Sequence, residues 1–388
     1  MAYRLPRMTT PLPPRLHLSP PDVGETEKRL LLEAFASNWI APVGPNLDAF
    51  ERAFERHFGP GVHCVATASG TAALHLGLKL LGVEPGDRVV VPTFTFAASA
   101  FAATYCGAEP VFVDSDPVSW TLDPALVERA IVDAQAAGQR VRAIVAVDIY
   151  GRCADYAALR AIARKHGVAL LQDAAEAVGS TWGDEPAGRQ GDLGVLSFNG
   201  NKILTTGGGG MLVCPDAALA KRARYLAAQA RADVCHYEHA EVGYNYRLCN
   251  LNAAIGHAQL QRLRQLLAAR AETAAHYRDA LGPLPGLSFA PPPPHGRGNH
   301  WLTTVLVAAD SPPGGPLAVL EALAAENIET RPLWKPMHLQ PVFAGAATFG
   351  GGVCEHLYAT GLCLPSGSGL VPQDRHRVCR AIHRVWAQ

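Results

Sequence analysis

Short apolar runs alternate with helical stretches through the first half of this chain, and this rhythm limits the possible fold more than any other feature. The apolar runs lie at residues 64–68, 88–91, 110–113, 141–147 and 168–171. They show little alternation of apolar with polar residues, which is typical of strands that are covered on both faces. The stretches between them have helical spacing. The pattern therefore predicts an α/β fold with a mostly parallel sheet between layers of helices.

The length of the chain predicts more than one domain. A chain of 388 residues exceeds what one hydrophobic core usually holds, so we expect two domains of unequal size. We predict a proline-rich, extended N-terminal arm at residues 1–22, a large domain at residues 23–250 and a smaller C-terminal α+β domain at residues 251–388. In the smaller domain, the spacing of the leucines predicts one long helix over residues 251–281.

Charge and cysteine content argue against several classes of protein. The 34 Lys+Arg residues balance the 34 Asp+Glu residues, which gives no electrostatic reason to expect nucleic acid or an anionic membrane surface as a partner. Nine scattered cysteines without a CxxC pair indicate neither a disulfide framework nor a zinc site, so we expect no metal and a cytoplasmic protein with reduced thiols. The N-terminal residues do not resemble a secretory signal, and no apolar run approaches the ~20 residues of a membrane span.

A lysine in a glycine-rich loop is the first candidate for chemistry. Lys202 lies between the apolar residues 194–196 and four glycines, Gly207 to Gly210, which predicts a strand, a loop and a second strand. Burial would favour the neutral amine, which is the form that Schiff-base chemistry requires. The alternative is an ordinary hairpin with the lysine in water.

Three further sites lie where predicted strands end, and ligands gather at that edge of a parallel sheet. Residues Ser69, Gly70 and Thr71 form a small turn before a helix, which can bind a phosphate or simply cap the helix. Phe96 follows one strand and can stack on a ligand or pack in the core. Asp173 follows another strand, where it needs a cationic or donor partner unless it caps a helix.

These residues together describe one ligand. The turn at Ser69 takes a phosphate, Phe96 stacks on a planar ring, Asp173 pairs with a protonated ring nitrogen and Lys202 binds an aldehyde carbon. A phosphorylated heteroaromatic aldehyde with these properties is pyridoxal 5′-phosphate (PLP).

The motifs resemble those of the DegT/DnrJ/StrS family of PLP-dependent sugar aminotransferases. The resemblance extends from about Leu18 to the end of the chain, and its motifs lie at residues 68–74, 92–96, 172–179, 197–210 and 243–247. It implies a homodimer of PLP fold type I with a seven-stranded, mostly parallel sheet and active sites shared between subunits. Ser197 would contact the cofactor phosphate of its own subunit, and Asn245 that of the partner.

Two positions depart from the family pattern. Glu176 stands where many members carry His or Gln near the ring oxygen of the cofactor, and it either accepts a hydrogen bond there or repels an ionised oxygen. The run Gly207 to Gly210 lacks the glutamate that often follows the lysine loop. Some members have lost the lysine and become dehydratases, so the presence of Lys202 indicates transamination.

Two stretches resemble a narrower branch, the enzymes that aminate UDP-linked 4-keto-6-deoxy N-acetyl sugars in UDP-bacillosamine synthesis. They are residues 18–21 with 38–42, and residues 331–338. The resemblance implies a UDP-2-acetamido-4-keto-2,6-dideoxyhexose as substrate, with L-glutamate giving its amino group and leaving as 2-oxoglutarate. The substrate contacts would come from residues that are equally suited to packing: Trp39, Ile40, Lys335, Met337 and His338.

Other functions fit the same motifs. A 3-keto-sugar aminotransferase or a PLP-dependent lyase would use the same scaffold and differ in the sugar nucleotide that it consumes. A PLP-binding regulator is the alternative from another class, although the sequence has no DNA-binding helix-turn-helix or basic stripe.

Overall fold

The computed structural model describes residues 13–387, so the first twelve residues of the predicted arm lie outside the described part of the chain. The helices are α1 (Glu25–Ala36), α2 (Pro45–Phe58), α3 (Gly70–Leu80), α4 (Ala97–Tyr105), α5 (Pro124–Ala136), α6 (Tyr156–His166), α7 (Ala217–Ala227), α8 (Asn250–Gln261), α9 (Leu263–Leu281), α10 (Gly315–Ala325), α11 (Gly352–Thr360) and α12 (Pro372–Trp386). Short 3₁₀ helices lie at Ile149–Gly151, Met337–Leu339 and Pro341–Phe343.

The strands are β1 (His63–Thr67), β2 (Arg88–Pro92), β3 (Glu109–Val113), β4 (Val141–Val147), β5 (Ala169–Asp173), β6 (Thr181–Trp182), β7 (Glu185–Pro186), β8 (Leu193–Ser197), β9 (Gly210–Cys214), β10 (Leu287–Phe289), β11 (Gly296–Arg297), β12 (Thr303–Val307), β13 (Arg331–Pro332), β14 (Thr348–Phe349) and β15 (Gly361–Leu364). The short strands β6, β7 and β11 form a small separate sheet.

The main sheet has the strand order β1-β9-β8-β5-β4-β2-β3-β14. Its neighbours pair in parallel except at β9, which is antiparallel to both β1 and β8. The predicted α/β fold with a mostly parallel sheet is therefore confirmed. The sheet has one strand more than the predicted seven, because the two-residue strand β14 from the C-terminal part of the chain pairs with the edge strand β3.

Side-chain caps fix where several crossover helices begin. Asp123, Asp155 and Asp216 each accept a hydrogen bond from a backbone N–H in the first turn of the helix that follows, namely α5, α6 and α7. A side-chain oxygen in this position satisfies donors that have no partner inside the helix. The caps hold the helices in register over strands whose central residues are almost completely buried.

A second, four-stranded sheet in the order β10-β12-β15-β13 packs against helices of the C-terminal part. Its own apolar cluster includes Tyr277, Val305 and Ile382, all fully buried. The arm joins this part of the molecule, because Leu16 donates its N–H to the carbonyl of Asn327 at 3.0 Å and pairs with Ile328. The domain limits at residues 22 and 250 stay a prediction.

The predicted single helix over residues 251–281 is wrong: the structure has two helices, α8 and α9, separated at Arg262. Arg262 has ψ of 1°, far from the helical value of about −42°. Its guanidinium contacts Asp22 at 3.1 Å and Glu27 at 3.0 Å, and both acids precede or begin α1. These ion pairs hold the bend, and leucine spacing does not reveal them.

Candidate active site

A cavity of about 300 Å³ opens at the carboxyl ends of β5 and β8. Every predicted cofactor residue except Asn245 lines it: Ser69, Gly70, Thr71, Phe96, Asp173, Glu176, Ser197 and Lys202. The side chains therefore converge at the edge of the sheet where ligands of α/β folds gather.

Lys202 lies in the loop that joins β8 to β9, and its side chain is only 12% exposed. The Nζ atom is 4.0 Å from the centroid of the Trp301 ring and 3.7 Å from Oε1 of Glu176. Burial lowers the pKa of the Lys202 ammonium, whereas the charges of Glu176 and Asp173 act in the opposite direction. The site thus contains a desolvated amine, and this burial favours its neutral, nucleophilic form.

Asp173 is the last residue of β5 and is almost fully buried. Its Oδ2 accepts the hydroxyl hydrogen of Ser99 at 2.7 Å, and its Oδ1 accepts the backbone N–H of Ala175 at 3.1 Å. Burial raises the pKa of Asp173, while these hydrogen bonds and the charge of Lys202 lower it. The carboxyl group is therefore fixed in place at the edge of the cavity and suited to a cationic ring nitrogen.

The turn at residues 69–71, which the sequence predicts to bind a phosphate, is built by close approach of three backbone segments. Ser69 caps α3, since its Oγ accepts the N–H of Ala72 at 3.0 Å. A Cβ on Gly70 would lie 2.9 Å from Cβ of Ser197, and a Cβ on Gly210 would lie 2.5 Å from the backbone nitrogen of Gly70. Glycine at 70 and 210 lets the ends of β8 and β9 lie directly against the first turn of α3, where free N–H groups and the helix dipole attract anions.

Glu176 lies opposite Lys202 and is held by Tyr150, a residue with an uncommon backbone conformation. Its Oε2 accepts the backbone N–H of Tyr150 at 2.7 Å. Tyr150 has φ of 51° and ψ of 29°, a left-handed conformation that is costly for a residue with a side chain. Its ring stacks between Trp301 and Trp334, with centroids at 6.2 and 6.1 Å, and this packing offsets the cost.

Aromatic side chains form one wall of the cavity. Phe96 is 54% exposed and lies 5.4 Å from the ring of Trp334. The backbone N–H of Trp334 donates to the hydroxyl oxygen of Tyr150 at 3.0 Å, and the side-chain Nε1–H of Trp301 donates to the carbonyl of Asn201 at 2.7 Å. The wall thus joins the end of β4 to residues that lead into the second sheet.

A second buried carboxyl group, Asp148, lies beside the end of β5. Its oxygens accept the hydroxyl hydrogen of Tyr156 at 2.6 Å and the side-chain N–H of Gln172 at 2.7 Å. Burial raises the pKa of Asp148 to about 7, although these hydrogen bonds act to lower it. Its backbone N–H also donates to the carbonyl of Asp173 at 2.9 Å, so the group supports the strand that carries Asp173.

The five predicted substrate residues have different positions. Trp39 and Ile40 are about half exposed on the surface. Met337 is buried and donates its N–H to the carbonyl of Thr93 at 2.8 Å, so it packs in the core instead of facing the cavity. His338 contacts Oγ1 of Thr93 at 2.6 Å and Oε1 of Glu355 at 3.0 Å, which places its ring between two elements of the protein.

Lys335 lines a second cavity, which has a volume of about 720 Å³ and shares Asn201 and Trp334 with the first. Asn245 is exposed and lies outside the cavity of its own chain. The neighbouring carbonyl of Tyr246 accepts the N–H of Ala68 at 2.8 Å, so the segment runs beside the phosphate-binding turn.

Several residues of the site were not among the sequence predictions. Tyr150 follows the end of strand β4, a position that indicates a ligand site by the same argument as Asp173. Ser99 lies three residues after Phe96 on α4, one turn further along, and no pattern marks it. Trp301 precedes β12 of the second sheet, and its contact with Lys202 joins segments that are far apart in the chain.

The residues present fit PLP. A buried amine, a buried carboxyl group and a glycine-lined helix N-terminus share one cavity, and the turn at Gly70 leaves no room for a Cβ beside Ser197. Lys202 is suited to the aldehyde carbon, Asp173 to the ring nitrogen and residues 69–71 to the phosphate. The described residues, 13–387, contain no group of three or more His, Cys, Asp and Glu side chains arranged to hold a metal ion. Within the same range, no helix is long and apolar enough to cross a bilayer.

The fold and the site define a PLP-dependent aminotransferase of fold type I. The chain belongs to the DegT/DnrJ/EryC1/StrS aminotransferase family, whose sequence profile matches residues 21–383. It is therefore a PLP-dependent sugar aminotransferase, and the predicted family, fold and cofactor are confirmed. The alternative of a PLP-binding regulator is set aside.

Related proteins match the chain over almost its whole length. It is 42% identical to the pyridoxal phosphate-dependent aminotransferase EpsN of Bacillus subtilis, over 95% of each chain. It is 39% identical to the GDP-perosamine synthase of Caulobacter vibrioides, over 96% of this chain and 98% of that protein. Among solved structures, the aminotransferase TlmJ of Streptoalloteichus hindustanus superposes with a TM-score of 0.87 at 32% identity, over 96% of this chain and 99% of TlmJ.

Proposed function

We propose that this aminotransferase transfers the amino group of L-glutamate to the 4-keto carbon of UDP-2-acetamido-4-keto-2,6-dideoxyhexose. The observation that supports amino transfer most directly is the buried pair of Lys202 and Asp173 in one cavity beside the phosphate-binding turn. The sugar and its nucleotide follow from the resemblance of residues 18–21, 38–42 and 331–338 to the UDP-bacillosamine branch.

Most of the predicted cofactor residues have a part in this reaction. PLP, when bound, supplies an electron sink that allows an amino group to leave one carbon and join another. Residues 69–71 and Ser197 would bind the phosphate, and Asp173 would keep the ring nitrogen protonated. Lys202 Nζ, once free, would take the proton from the donor's Cα as general base and deliver it to C4′ of the cofactor as general acid. For the sugar, Nζ would make the two transfers in the opposite direction. The aromatic wall limits access of water to this amine.

The second cavity would take the nucleotide end of the substrate. It adjoins the first at Asn201 and Trp334, so a sugar at Lys202 would leave its diphosphate there. Arg331 and Lys335 line this cavity and would attract the phosphates, while Tyr358 offers an aromatic face to the base.

A homodimer would complete the site. Leu32, Phe35 and Ile40 are each more than half exposed, and Trp39 is 45% exposed, which supports a covered apolar surface in the assembled protein. In such a dimer Asn245 would reach the partner's cofactor, and residues 39–40 would lie near its substrate. We place the enzyme in the cytoplasm, where sugar nucleotides are made and thiols stay reduced.

A second candidate substrate is a GDP-linked keto sugar. The GDP-perosamine synthase of Caulobacter vibrioides is 39% identical over nearly the whole chain, and its name specifies a guanine nucleotide. A 3-keto sugar and lyase chemistry remain the alternatives on the same scaffold.

Absorbance spectra of the purified protein would test the proposal, recorded with L-glutamate and then with UDP- and GDP-linked 4-keto and 3-keto sugars. We expect glutamate to convert the visible cofactor band to the pyridoxamine form, and the UDP-linked 4-keto sugar to restore it with formation of a 4-amino product. If only a GDP-linked sugar restored the visible cofactor band, the substrate would carry GDP and not UDP. A cofactor band that glutamate leaves unchanged would contradict the donor and favour lyase chemistry.

A further inference from the structure

Glu176 lines the cavity but has no part in the proton transfer described above. Its Oε1 lies 3.7 Å from Nζ of Lys202, and the two side chains are 4% and 12% exposed. A charge-assisted hydrogen bond between such groups measures about 2.7–2.9 Å. The two groups are therefore adjacent, but they are further apart than a charge-assisted hydrogen bond would hold them.

The second oxygen of Glu176 has a fixed donor. Tyr150 donates its backbone N–H to Oε2 at 2.7 Å, and the left-handed backbone of Tyr150 aims this N–H at the carboxyl group. The stack of Tyr150 between Trp301 and Trp334 holds that backbone. Oε1 thus stays directed at Lys202 instead of turning away.

The groups that face Glu176 come from four elements. They are Lys202 from the loop after β8, Asp173 from β5, the phenol of Tyr150 after β4 and the thiol of Cys363 on β15. Burial raises the pKa of Glu176 and lowers that of Lys202, and the attraction between the two charges opposes both changes. An ammonium and a carboxylate both lose hydration here, whereas an amine and a carboxylic acid lose little.

We propose that Glu176 and Lys202 share one proton. This proton lies on Glu176, as a carboxylic acid, whenever Lys202 is not joined to the cofactor. The N–H bond of the ammonium breaks, its electron pair stays on Nζ, and a new O–H bond forms at Oε1, so the pair remains neutral overall. The proton that Lys202 must lose to act as a base is thus kept inside the cavity. This inference rests on Lys202 as the reacting amine of the proposed function and not on the identity of the sugar.

Infrared difference spectroscopy of the full chain, freed of cofactor, tests the shared proton at neutral pH. We expect a protonated-carboxyl band in the wild type that Glu176→Gln removes and that Lys202→Met retains, since that variant leaves the carboxyl group buried without a cation. Glu176→Asp keeps the carboxyl group and should shift the band, which assigns it if the glutamine variant does not fold. The buried carboxyl group of Asp148 contributes equally to the spectra of the wild type and of each variant, so its band cancels in the difference spectra.

Glu27→Gln is the matched control. Glu27 is 2% exposed, but Arg262 at 3.0 Å and Gln259 at 2.6 Å hold its carboxylate, and its pKa is lowered despite burial. Its replacement should remove no protonated-carboxyl band. Absence of a band that responds to Glu176→Gln or Glu176→Asp would overturn the inference.

The reactivity of Lys202 gives a second, independent result. Acetylation by acetic anhydride, followed at Lys202 by peptide mass spectrometry, reports the fraction of free amine. With a shared proton, Glu176→Gln should change the rate at neutral pH by less than about threefold, because the amine is already neutral in the wild type. A fixed ion pair would instead give an increase of about tenfold or more, and this too would overturn the inference. Either failure leaves the visible cofactor band intact, so it is distinguishable from failure of the proposed function.

Discussion

Replacing Gly210 with alanine should weaken cofactor binding without unfolding the protein. A Cβ at this position would lie 2.5 Å from the backbone nitrogen of Gly70 and 2.5 Å from the carbonyl carbon of Ser69. Ordinary Cβ contacts begin at 3.4 Å, so β9 and the first turn of α3 would have to move apart by about 0.9 Å. Strain of this kind costs about 1–3 kcal/mol of folding free energy.

The larger effect falls on the turn at residues 69–71, which we propose binds the phosphate of PLP. A displacement of nearly 1 Å at a helix N-terminus removes at least one hydrogen bond to an anionic group, which is worth about 2 kcal/mol. Since about 1.4 kcal/mol corresponds to a tenfold change in affinity, we expect PLP to bind about 30-fold more weakly. Titration of the cofactor-free protein with PLP, followed by absorbance, measures this dissociation constant. Urea denaturation of the same samples measures the change in stability.

Gly200→Ala is the control, because Gly200 lies in the loop that leads to Gly210 and its Cβ would meet only Pro21, at 3.7 Å. That variant should bind PLP like the wild type. If the dissociation constant of Gly210→Ala for PLP is within about threefold of the wild-type value, binding of the phosphate does not depend on the first turn of α3 and the reasoning fails. Equal weakening in both variants would show that the loop as a whole, and not the close approach at Gly70, determines affinity.

Three other substitutions test separate parts of the structure. Lys202→Ala should abolish turnover yet keep noncovalent PLP, and residual turnover would refute its role as the reacting amine. Asp148→Asn removes a carboxyl group whose pKa burial raises from 3.8 to about 7. Because the folded protein keeps that proton while the unfolded chain releases it, the contribution of this group to stability should fall by about 1.4 kcal/mol per pH unit between about pH 4 and 7, and the urea midpoint of the wild type should fall relative to that of the variant as the pH rises. Glu51→Gln should lower the free energy of unfolding by about 3 kcal/mol, since it leaves Arg224 and Arg247 without their buried carboxylate, and a loss below about 1 kcal/mol in urea denaturation would contradict this.

The residues that sequence patterns placed correctly at the cavity share a simple geometry. Ser69 and Phe96 follow strands of the main sheet and Asp173 ends one, and the carboxyl ends of parallel strands meet at one edge. Local sequence therefore determines which side chains reach that edge. The lysine loop joins the same edge because β9 pairs antiparallel with β8, so that Lys202 lies between two strand ends.

Local sequence does not determine where a residue lies relative to the cavity when its position depends on packing between elements far apart in the chain. Lys335 and Met337 are two residues apart, yet one lines a cavity and the other is buried, because the chain turns at Pro336 into a short 3₁₀ helix. Trp301 precedes the second sheet, yet its ring lies against Nζ of Lys202, a contact between segments far apart in the chain. For Trp39 the relevant neighbour would be a second copy of the chain, about which local pattern gives no information.

The arm has a consequence for the order in which the protein matures on the ribosome. Ser19 donates its hydroxyl hydrogen to the carbonyl of Asn201 and accepts a hydrogen bond from Arg270, while Leu18 binds Glu329, which is synthesised 311 residues later. Nascent chains fold from the N-terminal side as segments emerge. The sheet can form early, but the arm must wait for residues near 330 before it can close behind the lysine loop. Translation itself therefore delays completion of the wall around Lys202, and a truncated chain released before that point would carry its reactive amine without this backing.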